Sequence, residues 1–256
     1  MATYYDNMIA KHYENMRESL PFIYLHVEAH TYFNTLGNLH GNSILELACG
    51  SGHYTRQFKH QGATRVLGVD ISEHMIELAK QTEAKKPLDI EYICRDACEL
   101  GQIGHFDLVC ATYLLYHAQT KEQLLKMCQT MFANLKEGGR FVSIDENFEQ
   151  PLESYSINEK YGYTKRLKEE ISPLPKKLQE GTSLIVSFTL PNQEKFSLEG
   201  HYFTRATYEW AFLTAGFKEV RWHPPMIPPN IIQEYGQEFW LDFINYQPII
   251  GIEGLK

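Results

Sequence analysis

A glycine-rich segment, E-L-A-C-G-S-G, is the part of the sequence best suited to hold a ligand. It contains Glu46, Gly50 and Gly52, and it joins a short apolar run to a stretch with helical spacing. Glycines let the backbone turn tightly and approach a ligand, and the free N–H groups at a helix N-terminus favour an anionic group. The segment therefore predicts a binding loop for a nucleotide-like cofactor.

Each of the next two apolar runs ends in a carboxylate, just as the first run ends at the glycine-rich segment. Asp70 ends the next apolar run, where a carboxylate can accept both hydroxyls of a ribose. Asp96, followed by Ala97, ends the third run, within reach of an adenine. Ligands of open α/β sheets bind beyond the carboxyl ends of the strands, so the three run ends point to one crevice.

Two cofactor classes compete for this crevice. A dinucleotide fingerprint needs a third small residue, but Thr55 stands at that position and would crowd helix against strand. Glu46 lies where a diphosphate would pass, and a carboxylate suits an ammonium group better than a second anion. A ligand with adenine, ribose and an amino-acid tail is favoured, and a nicotinamide oxidoreductase remains the alternative.

The elements that must position these residues alternate in type. Between Ser43 and about Glu149, short and partly β-branched apolar runs alternate with helical stretches, which is typical of βαβ units and a parallel sheet. The pattern predicts an α/β fold with a Rossmann-like, mostly parallel sheet of seven strands. Helical spacing also occurs over residues 5–16 and Ile23–Leu36, and it recurs over Thr204–Phe217 and Ile231–Ile244. The last two strands are expected at K-E-V-R-W-H and I-I-G-I-E-G-L-K.

The predicted organisation has four parts. Residues 1–40 form a helical lid, 41–149 the cofactor-binding core, 150–203 an inserted cap over the substrate, and 204–256 the completion of the sheet. Within the cap, S-L-I-V-S-F-T-L and K-F-S-L-E-G-H-Y-F are expected to pair as antiparallel strands. The basic residues of 160–177 alternate with Glu169 and Glu170 and are expected on a solvated face.

The amino-acid composition indicates which binding partners and which cellular compartment to expect. The 24 Lys and Arg against 32 Asp and Glu give a net charge of -8, which opposes binding to nucleic acid or to an anionic membrane. The 5 cysteines are an odd number, which indicates reduced thiols. Without a signal-peptide pattern or a long apolar stretch, a cytoplasmic protein is expected.

The motifs together resemble the class I S-adenosylmethionine-dependent methyltransferases over residues 43–146. They are I-L-E-L-A-C-G-S-G, V-L-G-V-D-I-S, C-R-D-A, F-D-L-V-C-A-T-Y-L-L-Y-H-A and L-K-E-G-G-R-F, with A-G-F-K-E-V matching the entry to the sixth strand. Ala48 departs from the family, in which many members carry a glycine there. The resemblance implies a S-adenosylmethionine cofactor with S-adenosylhomocysteine as product.

The resemblance also implies roles for single residues. Gly50 and Gly52 would face the methionine tail, Glu46 its amino group, Asp70 the ribose, and Asp96 with Ala97 the adenine, whose ring Ile71 and Met75 would sandwich. The remaining expected cofactor contacts are Ala48, Cys49, Thr112 and, from the first helix, Tyr13.

A narrower resemblance concerns the acceptor. The segments Y-Y-D-N-M-I-A-K-H-Y, A-T-Y-L-L-Y-H-A-Q-T-K-E-Q-L and E-F-W-L-D-F are similar to a bacterial subgroup that includes toxoflavin-type azapteridine N-methyltransferases. This similarity implies a small planar heterocycle that is methylated on N or O.

The chemistry of that transfer needs few groups. A sulfonium methyl is already electrophilic, so the protein mainly orders the acceptor, and His117 is the best candidate for a base where one is needed. Tyr113 is the second catalytic candidate, and Tyr116, Asn147 and Tyr202 are candidate substrate contacts. Two alternatives remain open: a catalytically silent binding or partner-activating subunit, and a protein acceptor.

No metal site is expected. The sequence His26-Val-Glu28-Ala-His30 has its glutamate one place too late for the H-E-x-x-H zinc pattern. Cys94 and Cys98 have neither a partner pair nor the usual zinc spacing. The oligomeric state is not predicted.

Overall fold

The computed structural model describes residues 23–169, 171, 173, 175–189 and 195–256. The predicted helix over residues 5–16, with the candidate cofactor contact Tyr13, lies outside these ranges. No helix within them is long and apolar enough to cross a membrane.

A seven-stranded sheet forms the centre of the molecule. Its strands are β1 (Ser43–Leu47), β2 (Arg65–Asp70), β3 (Ile90–Cys94), β4 (Phe106–Thr112), β5 (Leu135–Glu146), β9 (Glu219–His223) and β10 (Ile249–Leu255). They lie in the order β3-β2-β1-β4-β5-β10-β9. Strands β1 to β5 run parallel, whereas β10 is antiparallel to both of its neighbours. The α/β fold predicted from the alternating runs is confirmed.

Helices cover both faces of this sheet. Alternate residues of each strand point to opposite faces of the sheet, so two buried apolar clusters form, one on each face. Helices α1, α2 and α3 contribute to one cluster, and α4 and α5 contribute to the other. The helices are α1 (Ile23–Leu36), α2 (His53–His60), α3 (Glu73–Lys85), α4 (Lys121–Ala133), α5 (Arg205–Ala215), α6 (Pro229–Tyr235) and α7 (Gln237–Tyr246).

The helix boundaries follow local signals. The side chains of Ser72, Thr120 and Thr204 cap α3, α4 and α5 by accepting a backbone N–H three residues later. The single helix expected over Ile231–Ile244 is instead two helices, because Gly236 with φ +81° interrupts it.

A separate three-stranded sheet, in the order β6-β7-β8, makes up the inserted part. The predicted pair is present as antiparallel strands β7 (Ser183–Thr189) and β8 (Lys195–His201), with Ser183 opposite His201. A 3-10 helix over Leu152–Tyr161 leads into the third strand, β6 (Tyr163–Leu167). That strand was not predicted because its sequence, Y-T-K-R-L, has charged residues at its centre.

Lys165 on β6 corrects the expectation of a solvated basic face over residues 160–177. Its side chain has no exposed surface, and its ammonium group lies 2.7 Å from a carboxylate oxygen of Glu146, which is also buried. The same nitrogen donates to the carbonyls of Asn147 and Pro248 and to Oε1 of Gln150. A lysine can be buried at this place because its charge and all three protons are matched.

Candidate active site

A cavity lies over the carboxyl ends of the four adjacent strands β3, β2, β1 and β4. Ten of the residues expected to bind cofactor or acceptor lie along it. Its lining consists of Ala48, Gly50, Val69, Asp70, Ile71, Met75, Arg95, Asp96, Ala97, Thr112, Tyr113, Leu114, His117, Gln119, Gln123 and Met127. The strand ends therefore meet at one crevice, as the positions of the glycines and carboxylates predicted.

The loop after β1 forms one wall of the cavity. Ala48 and Gly50 have φ +54° and +53°, in the left-handed region that favours glycine, so the turn is tight at both positions. A Cβ at Gly50 would meet no atom within 4 Å, because this glycine faces open space. At Ala48, where a glycine is common in the family, an L-residue adopts the conformation at a cost of about 1–2 kcal/mol.

Asp70 connects this loop to the end of β2. Its Oδ2 accepts the N–H of Gly50 at 2.8 Å, and its Oδ1 accepts the N–H of Ser72 at 2.9 Å. Burial raises the pKa of the Asp70 carboxyl, and these backbone N–H groups oppose that rise. Each carboxylate oxygen keeps a second lone pair with which it can accept from a ligand.

The wall beside β3 contains two charged residues, Arg95 and Asp96, next to apolar side chains. Asp96 is fixed by the N–H of Cys98, which donates to its Oδ1 at 2.7 Å, and Ala97 lies next to it. Ile71 is 36% exposed, which is unusual for a large apolar side chain next to buried Met75. An aromatic ring inserted between these side chains would remove that apolar surface from water.

The wall beside β4 contains the candidate catalytic residues. Tyr113, with φ +56°, directly follows the strand, and His117 ends a one-turn 3-10 helix over Leu115–His117. The imidazole Nδ1 lies 3.1 Å from the carbonyl oxygen of Glu199 on β8, so the inserted sheet contacts the cavity here. A carbonyl only accepts, so Nδ1 carries the proton and Nε2 is the acceptor. Burial lowers the pKa of His117 to about 4, so the ring is neutral at pH 7.

Comparison with known proteins identifies the fold and the family. Residues 44–139 match the family model described as "Methyltransferase domain". The crystal structure of an S-adenosylmethionine-dependent methyltransferase from Mesorhizobium loti superposes with a TM-score of 0.62 at 21% identity, over 87% of this chain and 94% of that one. This likeness establishes the shared fold.

Residues 44–139 carry a methyltransferase domain. The family indicated by the sequence motifs is thereby confirmed, whereas the toxoflavin-type subgroup stays a prediction.

Curated relatives share this domain. The demethylmenaquinone methyltransferase of Lactococcus lactis is 32% identical over 59% of this chain and 63% of its own length. The ubiquinone biosynthesis O-methyltransferase of Coxiella burnetii is 32% identical over 44% of this chain and 48% of its own length. The chain thus spans from about half to less than two thirds of the length of these relatives.

Three of the expected cofactor contacts in this methyltransferase domain do not line the cavity. Glu46 is buried next to the last residue of β1, and burial in the first place, with the charge of Glu46 adding to it, raises the pKa values of Tyr32 and Cys110. Cys49 is buried beside Gly68. Gly52 caps α2 and packs against Tyr92, whose Cζ would lie 2.9 Å from a Cβ at that position.

The three expected substrate contacts lie deeper than the cavity wall. Tyr116 is buried beneath the inserted sheet, with its ring centre 4.2 Å from that of His117 and 5.9 Å from that of Phe148. Asn147 donates to the carbonyl of Gln247, and Tyr202 is a buried member of the apolar cluster. None of the three lines this cavity in the described part of the chain.

Sequence reasoning missed several lining residues, namely Val69, Arg95, Leu114, Gln119, Gln123 and Met127. For Gln119 and Gln123 a signal was available. Thr120-x-x-Gln123 is a capping-box pattern, and Gln123 accepts the N–H of Gln119 at 2.9 Å while its own N–H donates to Thr120 Oγ1. The pattern places both glutamines at the first turn of α4, which begins beside the cavity.

Metal binding has no support in the described residues, among which no group of three or more His, Cys, Asp or Glu side chains could hold an ion. In the H-V-E-A-H segment on α1, His26 is exposed and Glu28 is buried, so these two side chains point in different directions.

Proposed function

We propose that this protein is a S-adenosylmethionine-dependent methyltransferase that methylates N or O of a small-molecule acceptor. The observation that carries the proposal is the cavity itself. It runs across four strand ends, with Asp70 and Asp96 on one side and Tyr113 and His117 on the other. Binding groups for a nucleoside and candidate groups for an acceptor thus share one crevice.

The residues present fit this cofactor. Asp70 can accept ribose hydroxyls, Ile71, Met75 and Ala97 offer apolar surface to an adenine, and Gly50 leaves room for the amino-acid tail. The carboxylates of Asp70 and of buried Glu46 make the loop region negative, which favours a cationic sulfonium and ammonium over a diphosphate. The charge of Glu46 disfavours the diphosphate of a nicotinamide dinucleotide, whereas Asp70 would suit the ribose of either cofactor.

When bound, the cofactor supplies an electrophilic methyl group on a sulfonium. What this chain must do is hold an acceptor in line with that methyl, and ordering of this kind can contribute about 7–11 kcal/mol to lowering the barrier. Tyr113 lies at the β4 end of the cavity and provides a wall for this purpose. A dedicated base is not required when the acceptor atom already has a free lone pair.

His117 is proposed to orient the acceptor. Its neutral ring presents Nε2 as an acceptor for an N–H or O–H, and with a pKa of about 4 it is a weak base at pH 7. His117 therefore contributes by hydrogen bonding more than by complete proton removal. His117→Ala should lower turnover with little effect on cofactor affinity; an unchanged turnover would limit His117 to structural contacts.

Support for a small acceptor comes from the relatives and from the inserted sheet. One of the two curated relatives is named a demethylmenaquinone methyltransferase and the other a ubiquinone biosynthesis O-methyltransferase. In this chain, β8 approaches the site through Glu199 and Gly200, which contact His117 and Tyr116. A sheet this close to the cavity favours a compact acceptor, and a planar heterocycle stays the narrower prediction.

Calorimetric titration tests the proposal directly. We expect S-adenosylmethionine and S-adenosylhomocysteine to bind and NADH not to bind. Methyl transfer to quinone precursors, amines and planar N-heterocycles is then measured with labelled cofactor. Binding of NADH alone would support an oxidoreductase, and cofactor binding without transfer to any small acceptor would support a silent subunit or a protein acceptor.

A further inference from the structure

Glu28 is a buried carboxylate that none of the roles above requires. It lies in the middle of α1 with no exposed surface. Tyr54 Oη donates to its Oε1 at 2.5 Å, and Tyr113 Oη donates to its Oε2 at 2.8 Å. We call this arrangement the Tyr54–Glu28–Tyr113 bridge.

The bridge joins the two loops that flank the β1 and β4 ends of the cavity. Tyr54 is the second residue of α2, directly after the glycine loop, and Tyr113 is the first residue after β4 and lines the cavity. The backbone of Tyr113 is in the left-handed region, with φ +56°, which is costly for a large side chain. A charge-assisted bond to its hydroxyl is one interaction that holds the ring in this position.

Attachment of α1 does not by itself require a carboxylate. The ring of Tyr32 packs edge-on against Tyr54 at 5.1 Å, and Met226 donates its N–H to Thr31 Oγ1 at 2.8 Å. A buried charge is stabilised only when its hydrogen bonds are made, so an apolar residue would dock the helix with less desolvation. The carboxylate instead has a geometric effect, because its two oxygens fix two tyrosines relative to each other.

We propose that Glu28 is a positioning residue that holds Tyr113 at the amino-acid end of the cofactor cavity. This inference rests on the proposed function, which places the adenosine part at Asp70 and Asp96 and the amino-acid part at Gly50 after β1, where Tyr113 lines the same cavity from the neighbouring β4. Glu28 touches neither the cofactor nor the acceptor in this proposal. It acts through the tyrosine ring.

Two ligands separate this role from a general effect on folding. S-adenosylhomocysteine has the amino-acid tail, whereas 5′-methylthioadenosine has the same adenosine and thioether without it. In Glu28→Gln and in Tyr113→Phe, we expect calorimetry to show S-adenosylhomocysteine binding weakened about tenfold, the effect of one charge-assisted hydrogen bond. Binding of 5′-methylthioadenosine should change by less than about twofold, or under about 0.4 kcal/mol, because this ligand lacks the amino-acid part that Tyr113 is proposed to position.

The double variant and a matched control complete the test. Glu28→Gln with Tyr113→Phe should bind no more weakly than the weaker single variant, because both substitutions abolish the same charge-assisted bond, the first by removing its charge and the second its hydroxyl. Tyr32→Phe removes another buried hydroxyl one turn along α1 and should leave both affinities unchanged. Equal weakening of both ligands, no weakening, or multiplying effects in the double variant would overturn the inference.

The outcomes also separate this inference from the proposed function. If the unmodified protein binds neither ligand, the proposed function fails first. If Glu28→Gln does not fold, Tyr113→Phe removes the bond while leaving the carboxylate in place, and the comparison of the two ligands still decides.

Discussion

The backbone N–H of Gly50 donates a 2.8 Å hydrogen bond to Oδ2 of Asp70. This bond connects the glycine loop after β1 to the end of β2, so the carboxylate expected to accept a ribose also holds the loop expected to face the amino-acid tail. Loss of the carboxylate should consequently affect both ends of the ligand.

Removal of Asp70 should weaken cofactor binding strongly. Asp70→Ala removes the acceptor for Gly50 and for the ribose, so we expect at least a tenfold loss of S-adenosylhomocysteine affinity by calorimetry, the effect of about one charge-assisted hydrogen bond. Asp107→Asn is the control, because Asp107 binds Ser43 and Lys136 at the opposite end of the strands. Wild-type affinity in Asp70→Ala would show that the ribose lies elsewhere.

The two loop glycines should respond differently to the same substitution. Gly50→Ala adds a methyl group to open space in the cavity, so cofactor affinity should fall while the fold loses only about 1–2 kcal/mol for the left-handed backbone. Gly52→Ala has the same backbone cost and also pushes against Tyr92, which adds about 1–3 kcal/mol of overpacking. Urea unfolding and calorimetry measure the two quantities. Equal stability of the variants would contradict the packing around Gly52.

The ring of His117 should stay neutral over most of the accessible pH range. Its pKa of about 4 lies below the value of about 6.5 in an unfolded chain, so the native state binds fewer protons between these pH values. Its contribution to stability is therefore present above pH ~6.5 and is lost as the pH falls toward ~4. NMR titration of the ring checks the pKa, and His117→Gln should lose less stability over this window. A midpoint near the unfolded value would contradict the burial of the imidazole.

The ion pair of Lys165 and Glu146 should hold the inserted sheet to the core. Burial lowers the pKa of Lys165 and raises that of Glu146, and the opposite charge of each partner counters both shifts. Lys165→Met leaves a buried carboxylate without its cation, so unfolding in urea should show a loss of about 3–5 kcal/mol. Adding Glu146→Gln should recover part of it.

The neighbouring residue provides the control for that experiment. Arg166 lies next to Lys165 on β6 but is exposed, so Arg166→Met should change the free energy of unfolding by no more than about 0.5 kcal/mol. A similar effect of both substitutions would show that Lys165 contributes charge in general rather than a specific buried contact.

The sequence by itself determined the parallel core and the general position of the site. Short, partly β-branched apolar runs reveal strands and helical spacing reveals helices, because both signals are local. The rule that ligands bind beyond strand ends then brought Gly50, Asp70 and Asp96 together without knowledge of any contact. Ten predicted residues line one cavity because this rule holds for the sheet of this protein.

Only the tertiary structure decided which of these residues face the cavity and which pack inside the protein. Gly50 faces open space in the cavity, whereas Gly52, two residues later in the same loop, packs against Tyr92. Both have a left-handed backbone, so the tight turn between them points their Cα atoms toward different surroundings. The bonds from Glu28 to Tyr54 and Tyr113 and from Lys165 to Glu146 join segments far apart in the chain. Such pairings depend on packing between elements, and local sequence patterns carry no information about them.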